Sequence, residues 1–212
     1  MNKLWVFGDS FSTLFDRYPQ YCGFKGYTPK SYYEIVAEKY NMDIECHALG
    51  GADNRSILDS MIPHLENIKS NDVIIIGWTD WYRTRIVGDD GRWECLNPGH
   101  VNQPTVNFKN FSIKSIKELI FNRESIKYIQ EMNDLIKLIK FTFRNNIVVD
   151  WCWIDEENVL NCSIPHIGRQ KTIKEETSDL IWDYHWGEEG HENLSKGIIK
   201  YLTPIIKPTR LI

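Results

Sequence analysis

Apolar positions along the chain alternate between two kinds of spacing. Residues 4–7 (Leu4-Trp5-Val6-Phe7) and 72–78 are near-continuous apolar runs of strand length, and the second is rich in β-branched residues. Such runs predict strands covered on both faces, as in the middle of a parallel sheet. Residues 42–49 and 146–153 are further strand candidates. Between them the spacing becomes helical. Residues 31–40 place apolar side chains at 32, 35, 36 and 40 behind a capping Ser31, and residues 55–69 place them at 57, 58, 61, 62, 65 and 68, with a bend expected at Pro63. Residues 113–144 read as a helix in two parts, interrupted near Asn122-Arg123-Glu124, and a final helix is expected over 187–201. Strands alternating with helices imply parallel βαβ units, hence an α/β fold built as a three-layer α/β/α sandwich.

Three stretches fall outside that rhythm. Residues 11–30, rich in Gly, Pro and Tyr, read as an extended loop over the edge where the first strand ends. Residues 81–112 read as an insertion or lid near the ligand edge, with a hairpin or loop tip at Gly88-Asp89-Asp90-Gly91 and a break at Asn97-Pro98-Gly99. Residues 155–182 leave room for a short fifth strand, near 158–162 or 164–168.

The totals narrow the class. A chain of 212 residues with 42% hydrophobic and 25% charged residues suits one globular α/β domain over 1–212. A net charge of -4 makes no electrostatic case for nucleic acid or an anionic membrane. Five cysteines without a Cys-x-x-Cys pair fit reduced thiols in a cytoplasm-like compartment. No export signal or membrane-spanning run is evident, so a cytoplasmic location is expected. No cofactor is expected and no metal site either, since His47, His64, His100 and His166 lack partners at ligand spacing.

Chemistry concentrates in two places. The first strand stops in Gly8-Asp9-Ser10. A small hydroxyl residue there would stand at the carboxyl edge of the sheet, where open α/β sheets bind ligands. Ser10 reads either as a nucleophile or as a helix cap. Just before the last helix, Asp183-Tyr184-His185 supplies an acid and an imidazole two residues apart. A serine hydroxyl needs a histidine to take its proton and a carboxylate to orient that histidine, so the two stretches together would complete a relay. His191 is a rival base, read first as a packing or capping residue. Trp78, Trp81, Tyr82 and Trp186 would ring such a cleft as stacking walls or serve as core packing. Arg55 and Arg83 read as solvated charges, though either could select an anionic substrate.

Taken in order, Gly8-Asp9-Ser10-Phe11-Ser12, the Gly50-Gly51-Ala52-Asp53-Asn54 turn, Gly77-Trp78-Thr79-Asp80 and Asp183-Tyr184-His185 resemble the four blocks of the SGNH, or GDSL, hydrolase family. That resemblance implies a flavodoxin-like parallel sheet of order 2-1-3-4-5 and a metal-free serine esterase working through an acyl-serine intermediate. Ser10 then resembles the nucleophile, His185 the base and Asp183 the orienting acid. The N-H groups of Ser10 and Gly51 resemble two oxyanion donors. The family's third block carries an asparagine whose amide is the third donor; here Thr79 stands in that place, and Asn54 is the alternative. Loss of one donor is worth about 10² to 10³ in rate. The aromatic content points to a carbohydrate O-acetyl esterase, with a lipase or thioesterase and a non-catalytic carbohydrate-binding module as the alternatives.

Overall fold

The computed structural model describes residues 2–80, 83–87, 93–96, 114–115, 118, 125–153, 160–164 and 168–206. Four strands, β1 (Lys3–Phe7), β2 (Asp43–Cys46), β3 (Val73–Trp78) and β6 (Ile147–Cys152), form one parallel sheet in the order β2-β1-β3-β6. β4 (Thr84–Val87) and β5 (Trp93–Leu96) form a separate antiparallel pair within the 81–112 stretch. The turn expected at 88–91 lies outside the described residues. The fifth strand expected at 158–162 or 164–168 falls partly outside them too. Of the residues described there none is in a strand, and Ile164 N donates to Asp150 O at 3.0 Å.

Every residue of β3 is buried, which is why its sequence does not alternate. Its neighbours divide by pleat. Leu4, Val6, Val73, Ile75, Val149 and Trp151 face α2 (Tyr32–Tyr40) and α6 (Glu188–Leu202). Trp5, Phe7, Ile74, Ile76, Trp78 and Val148 face α3 (Asn54–Met61) and α4 (Ser125–Thr142). Helices therefore cover both faces of the sheet. At its amino edge, buried Asp72 accepts hydrogen bonds from Lys3 N, Trp5 Nε1 and Lys69 N, each at 2.9 Å, which fixes the start of β1 against β3.

Local signals set the helix ends. Ser31 and Glu34 form a reciprocal capping box on α2, as the sequence suggested for Ser31. The cap of α3 is Asp53, which accepts from Ser56 N at 2.8 Å, so the helix starts at Asn54 and gives way to a 3-10 turn at Ile62–His64, around Pro63. The expected loop at 11–30 is instead largely ordered. It holds 3-10 turns at Ser10–Ser12 and Phe15–Arg17 and the helix α1 (Pro19–Lys25). The short α5 (Ile173–Glu176) was likewise not evident in the periodicity.

Candidate active site

β1 delivers Phe7 to the carboxyl edge of the sheet, and the chain then turns tightly. Asp9 is extended, and its buried carboxylate accepts from Phe11 N at 3.0 Å, capping the Ser10–Ser12 turn. The helix-cap role weighed for Ser10 thus belongs to Asp9, and Ser10 opens a single 3-10 turn. Ser10 O accepts from Thr13 Oγ1 at 2.8 Å and Tyr18 Oη at 3.3 Å, so the backbone under the hydroxyl is held from two sides. Ser10 Oγ has no hydrogen bond within 3.5 Å among the described residues.

Two glycines make room for this turn. A Cβ on Gly77 would stand 2.8 Å from Ser12 Oγ and 2.8 Å from Trp151 Cζ2, and a Cβ on Gly8 would collide with Ser12 as well. Ser12 Oγ sits in the resulting notch and hydrogen-bonds Tyr32 Oη at 3.0 Å.

The turn after β2 is tied to the same edge, because His47 N donates to Val6 O at 2.8 Å and Leu49 N to Gly8 O at 2.9 Å. Gly51 has φ +74°, in the left-handed region that disfavours a Cβ. A Cβ there would meet nothing within 4 Å, so its glycine is required by backbone conformation and not by close approach of a neighbour. Asn54 is buried, with its side-chain carbonyl accepting from Thr79 N at 2.8 Å. Its amide donates to Thr79 O at 2.9 Å and Tyr128 Oη at 3.0 Å. Asn54 therefore clamps the turn after β3 and ties it to α4, with both amide hydrogens spent on those two bonds.

Thr79 is fully buried, and its hydroxyl accepts from Trp153 Nε1 at 3.2 Å. Trp153 Nε1 also reaches Asp9 Oδ2 at 3.0 Å. Arg83, read from sequence as a solvated charge, is instead largely covered: its Nη1 lies 3.2 Å from Asp9 Oδ2 and donates to Ala52 O at 3.2 Å. Burial pushes the Asp9 carboxyl above the usual carboxylate range, opposed by the Arg83 charge and by the Thr79, Phe11 and Trp153 hydrogen bonds. Arg55 stays exposed and pairs with Asp59 at 3.3 Å.

On the far side of Ser10, Asp183 and His185 face one another. His185 Nδ1 is 2.7 Å from Asp183 Oδ1, and the same oxygen accepts from His185 N at 2.8 Å. Partial burial opposes ionisation of Asp183, but the side-chain and backbone bonds from His185 outweigh it and hold the carboxyl below its ordinary value. With Asp183 ionised, Nδ1 carries the proton and Nε2 is left as the acceptor. The imidazole packs on Phe11 and Tyr18, with ring centroids 5.1 and 5.3 Å away. Phe11 follows Ser10 in the chain and Tyr18 holds the Ser10 carbonyl, so the ring lies beside the Ser10 turn, with no hydrogen bond between His185 and Ser10.

His191 is a different kind of residue. It is buried on α6, its Nδ1 accepts from Tyr32 N at 3.2 Å, and burial pushes its pKa down to about 3, with His185 adding to the effect. His47, stacked on His64 with ring centroids 3.7 Å apart, is also pushed down, by burial and by its neighbour. A histidine whose folded pKa lies below its unfolded value of about 6.5 binds fewer protons when folded, so stability falls as pH drops below that value, by about 1.4 kcal/mol per pH unit per group. Unfolding free energy measured in urea from pH 7 to 4 should show this slope, and His191→Gln should reduce it.

Two of the three tryptophans expected to wall the cleft are core residues. Trp78 closes the fully buried β3 with its Nε1 3.4 Å from buried Asp150, and Trp186 packs on Phe11 and Trp151. Neither offers a face to a ligand. Trp81, with Tyr82, lies outside the described residues. The aromatics that do stand in solvent near the acid and base are Trp182 and Tyr184, 74% and 62% exposed. Their alternation with Asp183 and His185 was readable in the sequence; the roles of Tyr18 and Trp153 had no comparable signal. Among the described residues no group of three or more His, Cys, Asp or Glu side chains is arranged to hold a metal, and no helix is long and apolar enough to cross a membrane.

No protein-family model matches the chain, and a search of curated proteins finds no match.

Proposed function

We propose that the chain is a serine ester hydrolase of the SGNH type, with a flavodoxin-like three-layer fold and a carbohydrate O-acetyl ester as substrate. The observation that carries this reading is the 2.7 Å Asp183–His185 pair, whose imidazole rests on the residues that flank and brace Ser10. In the proposed cycle Ser10 Oγ attacks the ester carbon as His185 Nε2 takes its proton. Asp183 accepts the Nδ1 hydrogen bond and stabilises the imidazolium. The tetrahedral oxyanion is received by the backbone N-H groups of Ser10 and Gly51. Collapse breaks the bond to the alcohol oxygen, which leaves with the proton from His185. A water then gives a proton to His185 as it attacks the acyl-serine, and the acid departs as Ser10 regains its hydrogen.

Thr79 and Asn54 take no part as donors in this scheme, because Thr79 is fully buried and both amide hydrogens of Asn54 are committed to Thr79 O and Tyr128 Oη. A two-donor hole predicts a slow enzyme, by about 10² to 10³ against a three-donor one. The test is covalent labelling. A fluorophosphonate should modify the full chain once, on the peptide bearing Ser10, and His185→Ala should slow that labelling. Saccharide binding without labelling would favour the non-catalytic module, and turnover confined to long-chain acyl esters would favour a lipase.

A further inference from the structure

We propose that Trp182 and Tyr184, with Lys174 between them, form a saccharide subsite beside the acid and base. Residues 182–186 run antiparallel to 171–174: Ile173 N donates to His185 O and Lys174 N to Asp183 O, both at 2.8 Å, Gly187 N donates to Lys171 O at 3.0 Å, and Thr172 bridges Trp186. His185 bonds Asp183 and its ring packs on Phe11 and Tyr18, whereas the Trp182 and Tyr184 rings both lie against Lys174. The rings are held in place. Lys174 Nζ stands 3.9 Å from the Trp182 ring centroid and 5.2 Å from that of Tyr184, donates to Tyr184 Oη at 3.3 Å and pairs with Asp179 at 3.5 Å.

Leaving two large rings in water forfeits the stabilisation their burial would bring, and such exposure marks interaction surfaces. The surroundings decide which ligand fits. An acyl chain or a hydrophobic partner calls for a continuous apolar patch, whereas here, with exposed Leu180 two residues away, the Lys174 ammonium stands against both rings, carries Asp179 as its ion-pair partner and bonds the Tyr184 hydroxyl. A flat apolar face edged by hydrogen-bonding groups matches a pyranose ring, which stacks through its C-H face and directs hydroxyls outward. An ammonium held over Trp182 covers one face of that ring and leaves the other for the sugar. The subsite deepens the esterase reading by giving the alcohol side of the substrate a second point of attachment, one residue along the chain from the acid and base.

The test is direct binding, which needs no turnover. Full-length protein is titrated with xylohexaose, cellohexaose and N-acetylchitohexaose, followed by tryptophan fluorescence and calorimetry. Saturable binding of at least one is expected, weakened ten-fold or more by Trp182→Ala and by Tyr184→Ala and largely recovered in Trp182→Phe, with thermal unfolding confirming that each variant folds. No saturable binding of any of the three, equal binding by the alanine variants, or a response to phosphatidylcholine vesicles instead would overturn the subsite. The titration and fluorophosphonate labelling of Ser10 are independent, so failure of one reading is distinguishable from failure of the other.

Discussion

Ser10→Ala is expected to lower kcat for p-nitrophenyl acetate by at least about 10³-fold, the scale on which loss of a triad member acts. Since Ser10 Oγ bonds no described neighbour, thermal unfolding of the variant should match the parent. His185→Ala should cost a similar factor, and the double variant little more, because members of one relay fail together. Asp183→Asn keeps the shape but no longer fixes the proton on Nδ1, for a loss of about 10⁴-fold. Undiminished turnover by Ser10→Ala would remove the assignment.

The largest stability effect is expected from Arg83→Met. Its guanidinium is the cation beside Asp9, a carboxylate with no exposure to water, and stripping the partner from a buried ion pair costs about 3 to 5 kcal/mol. The pH dependence identifies the cause. A carboxyl whose folded pKa is raised binds more protons folded than unfolded, so its favourable contribution is present below the unfolded pKa and is lost as pH rises through the folded one. Asp9 is already raised by burial, and without Arg83 it rises further. Urea unfolding should therefore show a larger deficit at pH 8 than at pH 5, and Asp9→Asn in the Arg83→Met background should reduce that deficit. A deficit equal at both pH values would mean that the loss comes from packing over Trp153, above which the guanidinium carbon lies 5.6 Å from the ring centroid.

What could be read from the sequence divides by the kind of information that carries it. The parallel strands were legible because burial on both faces removes alternation, as in Val73–Trp78. α2 was legible through its period and Ser31. α1 was not, although its two ends carry ordinary signals: Pro19 at the first helical position and Gly26 beyond the last, with φ +76°. Seven residues that open on a proline and stop at a glycine looked like loop composition. Contacts between distant segments were the hardest to read. Nothing local distinguishes Arg83, which finds Asp9 across 74 positions, from Arg55, which stays in water. Trp78 and Trp186 were placed near the right edge of the sheet, but proximity in the chain to Thr79 or His185 says nothing of which way a ring turns. The acid and base, by contrast, lie two residues apart, so their pairing depended on one loop and not on the whole fold.

The notch between Gly8 and Gly77 gives the position of Ser10 a mechanical origin. Ser12 works there like a pin in a bore whose diameter equals two absent methyl groups, and the proposed nucleophile, Ser10, rides two residues away on the same turn. Alignment at such a centre is a matter of tolerance, since about 1 Å of misplacement can cost a hundredfold in rate. Machined this way, the turn keeps its setting through parts that make no contact with a substrate. A redesign of the cleft walls leaves the seating alone, whereas one carbon atom added on the sheet side lifts the pin and throws the whole edge out of true.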